Sequence, residues 1–110
     1  MTDLIVKSCI PCSVGTPSLE EKEINEYMVK LNETWKVIEN KRIERKFKFK
    51  DFKEALDYTV KIGELAEKEG HHPDILLSWG KVVVTLTTHK IGGLSENDFI
   101  LAAKIDRLKL

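Results

Sequence analysis

The stretch EKEGHHPDILLSWGKVVVTLTTHKIGGLSEND, residues 67–98, decides the fold. It holds a helix end, a hairpin and a helix start in succession. Gly70 stands where a helix arriving through Glu67 should stop, because glycine adopts the left-handed backbone of a C-terminal cap without a Cβ penalty. Pro73 cannot continue that helix and biases His72 toward extended backbone. Residues 75–79 then read as a strand, Gly80-Lys81 as a turn and residues 82–87 as a second strand. Val82-Val83-Val84-Thr85-Leu86 is the most β-prone run of the chain and is expected near the centre of a sheet. Gly92-Gly93 makes a loop. Ser95-Glu96-Asn97-Asp98 caps a third helix, with Leu101, Ala102, Ile105 and Leu108 as its apolar stripe.

Upstream of Glu67 the helix opens at Asp51-Phe52-Lys53-Glu54. Its stripe is Phe52, Ala55, Leu56, Thr59, Ile62 and Ala66. Before it, Ile43, Arg45, Phe47 and Phe49 alternate with Glu44, Lys46 and Lys48, the pattern of a strand with one wet face. Trp35, Val37 and Ile38 form a shorter strand, and Asn40-Lys41 suits the turn between the two. Ser18-Leu19-Glu20-Glu21 reads as a capping box for a first helix over 18–32, whose stripe is Ile24, Tyr27, Met28 and Leu31. Residues 1–17 read as an irregular N-terminal arm, and 18–110 as the domain. The order is α-β-β-α-β-β-α. Hairpin connections make the sheet antiparallel, so the expected class is α+β, a four-stranded antiparallel sheet with three helices on one face.

The bulk properties narrow the function classes. At 110 residues, with 42% hydrophobic and 33% charged residues, the chain suits one soluble domain. The formal net charge is zero, which gives no global attraction to nucleic acid or to an anionic membrane. Lys41, Arg42, Arg45, Lys46, Lys48 and Lys50 crowd one stretch, which reads as a solvated strand face. No run approaches the roughly 18 apolar residues of a membrane span. The opening MTDLIVKSCIPC includes Asp3 and lacks the apolar core of a signal peptide, so the expected compartment is the cytoplasm. Cys9 and Cys12 form a C-x-x-C flanked by Pro11, Gly15 and Pro17, a loop context. The pair reads as an incidental N-terminal feature, with a metal or redox role and a disulfide as alternatives.

The three histidines fall at element ends rather than on apolar stripes. His71 and His72 stand where the second helix hands over to the third strand, and His89 just past the fourth strand. The hairpin turns near Gly80, so folding it back brings the start of one strand beside the end of the other. His71/His72 and His89 are therefore expected to be neighbours. The partial negative charge of the preceding helix end favours a proton on His71, and Glu67 is expected to accept its N–H. Several imidazoles sharing one place resist full protonation, so one can give a proton while another takes one. The alternatives are histidines that only cap elements and a three-histidine metal site.

At these residues the sequence resembles the pterin-4a-carbinolamine dehydratase family. The pattern is Glu67, three residues, His71-His72-Pro73, five residues, Trp79, nine residues, His89, eight residues, Asp98. RKFKFKDFKEA, VVVTLTTH and GGLSENDFILAAKID fit around it, and the likeness covers residues 19–108. It implies the α+β fold already read. It also implies dehydration of 4a-hydroxytetrahydrobiopterin to quinonoid dihydropterin and water, within tetrahydrobiopterin recycling, with no metal and no organic cofactor. By position it assigns His71, His72 and His89 as catalytic. His71 and His89 are then the acid/base pair, and His72 binds and orients the pterin. Glu67, Pro73, Trp79 and Asp98 are implied as supporting or substrate-binding residues. Trp79 is expected to pack in the core, and Asp98 to act at the helix start as much as in chemistry. The partners implied are a pterin substrate and further copies of the chain, as a homodimer or homotetramer. Relatives that serve as transcription coactivators or assembly factors supply the alternative, a protein-binding module on the same fold. The chain departs from some relatives in having Gly70 before the histidine pair and Asp74-Ile75 after Pro73.

Overall fold

Two antiparallel hairpins carry the sheet. In the computed structural model, which describes residues 4–7, 9 and 17–108, β1 (Lys36–Ile38) pairs with β2 (Arg42–Lys48), and β3 (Asp74–Ser78) with β4 (Lys81–Leu86). β2 also pairs antiparallel with β4, giving the strand order β1-β2-β4-β3. The valine-rich strand is therefore internal, as its propensity implies. With α1 (Glu21–Met28), α2 (Phe52–Glu69) and α3 (Glu96–Asp106), the elements follow the expected α-β-β-α-β-β-α order of an α+β domain. Short 3₁₀ turns at Leu4–Val6 and His89–Ile91 are additions.

The register sets the core. Ile43, Arg45 and Phe47 lie opposite Leu86, Val84 and Val82, and the two valines lie opposite Ile75 and Leu77 on the other side. Strand alternation puts these side chains on one face. Ile24 of α1, Ala55 and Ile62 of α2, and Leu101 and Ile105 of α3 join them in one buried cluster. Arg45 keeps its charge on this face by pairing with Asp106 and lying 4.3 Å from the centre of the Phe47 ring. Asp106 also accepts the Trp35 indole N–H at 2.8 Å.

The helix ends and stripes refine the sequence reading. Asp51 accepts the Glu54 N–H at 2.9 Å, the expected cap of α2. Gly70 ends that helix at φ +68°. The buried face, however, is Ala55, Tyr58, Ile62 and Ala66, while Phe52 and Leu56, expected inside, are exposed. Tyr58 takes the core place because its hydroxyl finds a partner, the Ile105 carbonyl at 3.2 Å, while its ring packs on Phe47 and Phe49. α1 is shorter than 18–32. Leu19 N–H is bonded to the Leu94 carbonyl at 2.9 Å, which holds the approach extended. The capping box therefore slides to Glu20 and Glu23. β3 and β4 each begin one residue early, with the turn at Trp79-Gly80. A Cβ on Gly80 would come within 2.9 Å of the Phe49 carbonyl oxygen, so only glycine lets those backbones meet.

α3 departs most from its expected stripe. Asn97 through Ala103, and Ile105, are all buried. Part of the cover comes from the irregular N-terminal arm. Leu4 is buried in the main cluster, and Lys7 and Cys9 bond to the first turn of α3. Cys12 lies outside the described residues. Among the described residues, no helix is long and apolar enough to cross a membrane.

Candidate active site

The C-terminal end of α2 delivers the histidines. The N–H groups of Gly70 and His71 both bond to the Ala66 carbonyl, at 2.9 and 3.3 Å, closing the helix through the left-handed glycine. The chain leaves extended, so the consecutive side chains diverge. His71 turns inward, with its side chain 13% exposed. Its Nε2 lies 2.6 Å from Oδ1 of Asp98, which is fully buried. His72 turns outward and its Nε2 meets Oε2 of Glu67, at side-chain exposures of 61% and 78%.

This reverses one expectation. Glu67 holds His72, not His71, because residue 67 lies on the solvent side of α2, one position beyond the buried Ala66. The inward ring finds its carboxylate on another helix.

Asp98 is the hinge of the arrangement. It is the third residue of α3, and its Oδ2 accepts the Ser95 N–H at 2.9 Å while Ser95 caps the same turn. The same oxygen accepts the Thr88 hydroxyl at 2.8 Å, and Thr88 and Ser95 hydroxyls are 2.7 Å apart. With Asp98 ionised, Oδ1 is an acceptor, and the ring proton of His71 on Nε2 matches it. Asp98 thus both caps the helix and orients the ring.

Thr88 immediately precedes His89. Thr88 N–H bonds to the Gly93 carbonyl at 2.8 Å, closing a small loop with Gly92 at φ +66°. His89 begins the 3₁₀ turn of that loop, its carbonyl accepts the Gly92 N–H at 3.2 Å, and its side chain is exposed. Asp98 thus links His71 to Thr88, the residue before His89. Pro73 precedes the first residue of β3. Trp79 sits at the other end of β3 from the histidines, separated from them by Pro73 and the five residues of that strand. It is 69% exposed, so it does not pack in the core.

Sequence reasoning missed Thr88 and Glu69. Thr88 is among the few buried polar residues. Glu69 continues the buried face of α2 through Ile62 and Ala66 at helical spacing, a signal visible in the sequence. Its Oε2 pairs with Lys104 Nζ at 2.7 Å, and its Oε1 accepts the Cys9 N–H at 3.1 Å. Burial works against the charged carboxyl of Glu69, but the Lys104 and Cys9 bonds outweigh it and hold its pKa below the usual value. The Cys9 thiol is pushed up to about 12, first by burial and then by Glu69. It is a protonated thiol at neutral pH, which speaks against a redox or metal-binding role for this residue. Among the described residues, no group of three or more His, Cys, Asp or Glu side chains is arranged to hold a metal ion.

An α+β domain with a histidine seated on a buried helix-cap carboxylate is the class that fold and site define. The family model described as Pterin 4 alpha carbinolamine dehydratase matches residues 17–108. The chain belongs to that family. A protein of Alkaliphilus metalliredigens, provisionally named pterin-4-alpha-carbinolamine dehydratase, is 64% identical over 97% of this chain and 96% of its own length. A protein of Rubrobacter xylanophilus with the same provisional name is 45% identical over 98% of this chain and all of its own length. The crystal structure of a transcriptional coactivator/pterin dehydratase from Brucella melitensis is similar at TM-score 0.74 and 37% identity. It covers 81% of this chain and 95% of that one. A pterin dehydratase-like RuBisCO assembly factor of the alpha-carboxysome shares the fold, at TM-score 0.56 and 21% identity over 66% of this chain and 86% of that one.

Proposed function

We propose that the chain is a 4a-hydroxytetrahydrobiopterin dehydratase working by histidine acid/base catalysis. The observation that carries this is the His71–Asp98 pair. A mostly buried ring held through Nε2 by a buried carboxylate is what a proton-transfer step needs. Loss of the 4a-hydroxyl as water requires a proton on the leaving oxygen and removal of one from the adjacent ring nitrogen. The products are water and the quinonoid dihydropterin, and the residues regain their starting protonation after exchange with solvent. His71 and His89 form the acid/base pair in this reading. His72, steadied by Glu67 at the surface, binds and orients the pterin.

The test follows the disappearance of a 4a-hydroxytetrahydropterin with and without the protein. Acceleration is expected from the wild type and none from a folded variant carrying His71→Ala and His89→Ala. Full activity in that double variant would overturn the catalytic assignment.

A second part of the reading is self-assembly. Phe52, Leu56 and Val60 are exposed along α2 at four-residue spacing, and Leu76 is exposed on the edge strand β3. Apolar residues on one helix face and on an open edge favour burial against further copies. Sedimentation of the wild type should give a dimer or tetramer. A monomer at micromolar concentration would remove this part.

A further inference from the structure

The N-terminal arm and the two helices that bear the His71–Asp98 pair meet at one carboxylate. Glu69 is the last residue of α2, two positions before His71. Its side chain is 7% exposed, and its two oxygens are used separately, one by Lys104 of α3 and one by the Cys9 amide of the arm. The arm in turn reaches the first turn of α3. The Cys9 thiol donates to the Asn97 carbonyl at 3.6 Å, and Lys7 pairs with Glu96 at 2.8 Å. Tyr27 donates to the same Glu96 oxygen at 2.7 Å. Glu96 and Asn97 directly precede Asp98. One set of contacts therefore ties the residue two before the histidine to the two residues before its carboxylate.

We propose that Glu69 is a positioning residue for His71: by fixing the end of α2 to α3 and to the arm, it sets the seating of the His71 ring on Asp98. The geometry makes the linkage direct. His71 N–H hangs on the last turn of α2 through Ala66, so a shift of that turn carries the ring with it. Removing Glu69 also strands Lys104, whose side chain is only 15% exposed, and a partly buried cation without a partner pulls its helix toward water. Seating matters steeply, since a misplacement of about 1 Å can cost roughly 100-fold in rate. The proposal rests on the dehydratase reading for its catalytic consequence, but not for its structural one.

The experiment compares wild type, Glu69→Ala and Glu69→Gln by long-range proton–nitrogen NMR of the histidine rings and by dehydration kinetics. In the wild type the His71 signals report one fixed tautomer protonated on Nε2. In Glu69→Ala they move toward an averaged tautomer, while those of His72, held by Glu67, stay put. kcat falls about 10-fold with KM little changed. A role in stability alone would lower the melting temperature and leave the His71 ring signals where they were, and that result overturns the proposal. If Glu69→Ala does not fold, Glu69→Gln keeps the volume and is judged by the same signals, with a smaller shift expected. If the wild type itself does not accelerate pterin dehydration, the dehydratase reading falls, and the ring signals still decide the role of Glu69.

Discussion

His71 and His72 are adjacent in sequence, and each meets a carboxylate through Nε2, yet the two pairs lie in different surroundings. One couples a mostly buried ring to a fully buried carboxylate that two further donors hold in place. The other couples two exposed side chains that water competes for at every atom. A surface pair of this kind contributes about 0–1 kcal/mol. Breaking a buried one by removing a partner costs about 3–5 kcal/mol, because a desolvated charge is left behind. A histidine and a carboxylate thus make a fixed, buried pair in one place and a loosely held contact in the other.

Four comparisons press on that contrast. The largest effect is expected on rate. His71→Ala should lower kcat for pterin dehydration by about 10²–10⁴-fold, the usual worth of a placed proton-transfer group. His72→Ala should act mainly on KM. Steady-state kinetics on both variants checks this, and equal kcat losses would erase the distinction drawn between the two rings. Next, Asp98→Ala should cost about 3–5 kcal/mol in urea unfolding, since it strips an acceptor from His71, Thr88 and the Ser95 amide together. A loss below about 1 kcal/mol would mean the buried pair is no better than the surface one.

A smaller effect is expected from acid. Glu69 and Glu96 titrate below the usual glutamate value near 4.5. In Glu96 the Lys7 bond is the leading cause, followed by Tyr27. In both, the unfolded chain binds protons more readily than the folded one. Their stabilisation is therefore complete above the unfolded value and fades as pH falls through the lower folded values. Urea unfolding from about pH 6 downward should show a shallower acid loss for Glu69→Gln than for the wild type. An unchanged slope would contradict the role given to the Lys104 bond. The smallest effect belongs to Glu67→Ala, expected to change stability by less than about 0.5 kcal/mol.

The element order was legible because punctuation and periodicity agreed: Asp51 and Gly70 bracket α2, Ser95 and Asp98 open α3, and the valine run marks the inner strand. Stripe phase was less legible. Phe52 and Leu56 outrank Tyr58 in hydrophobicity, and only the tertiary partner at Ile105 explains why the tyrosine goes inside. The convergence of the chain segments bearing His71 and His89 followed from hairpin topology. The partner of His71 did not, since Glu67 and Asp98 are both carboxylates and only the direction of the chain after Gly70 separates them. The arm carries no periodicity, and single anchors such as Leu4 and the Cys9 amide leave no pattern to detect.

One carboxylate serves two masters in this molecule, the start of α3 and the ring of His71. The consequence concerns how the protein breathes. A fluctuation that unseats His71 from Asp98 disturbs the knot with Thr88 and the first turn of the most enclosed helix, so the site has no cheap local opening of its own. The Ser95 amide should accordingly exchange with deuterium only when the whole domain unfolds.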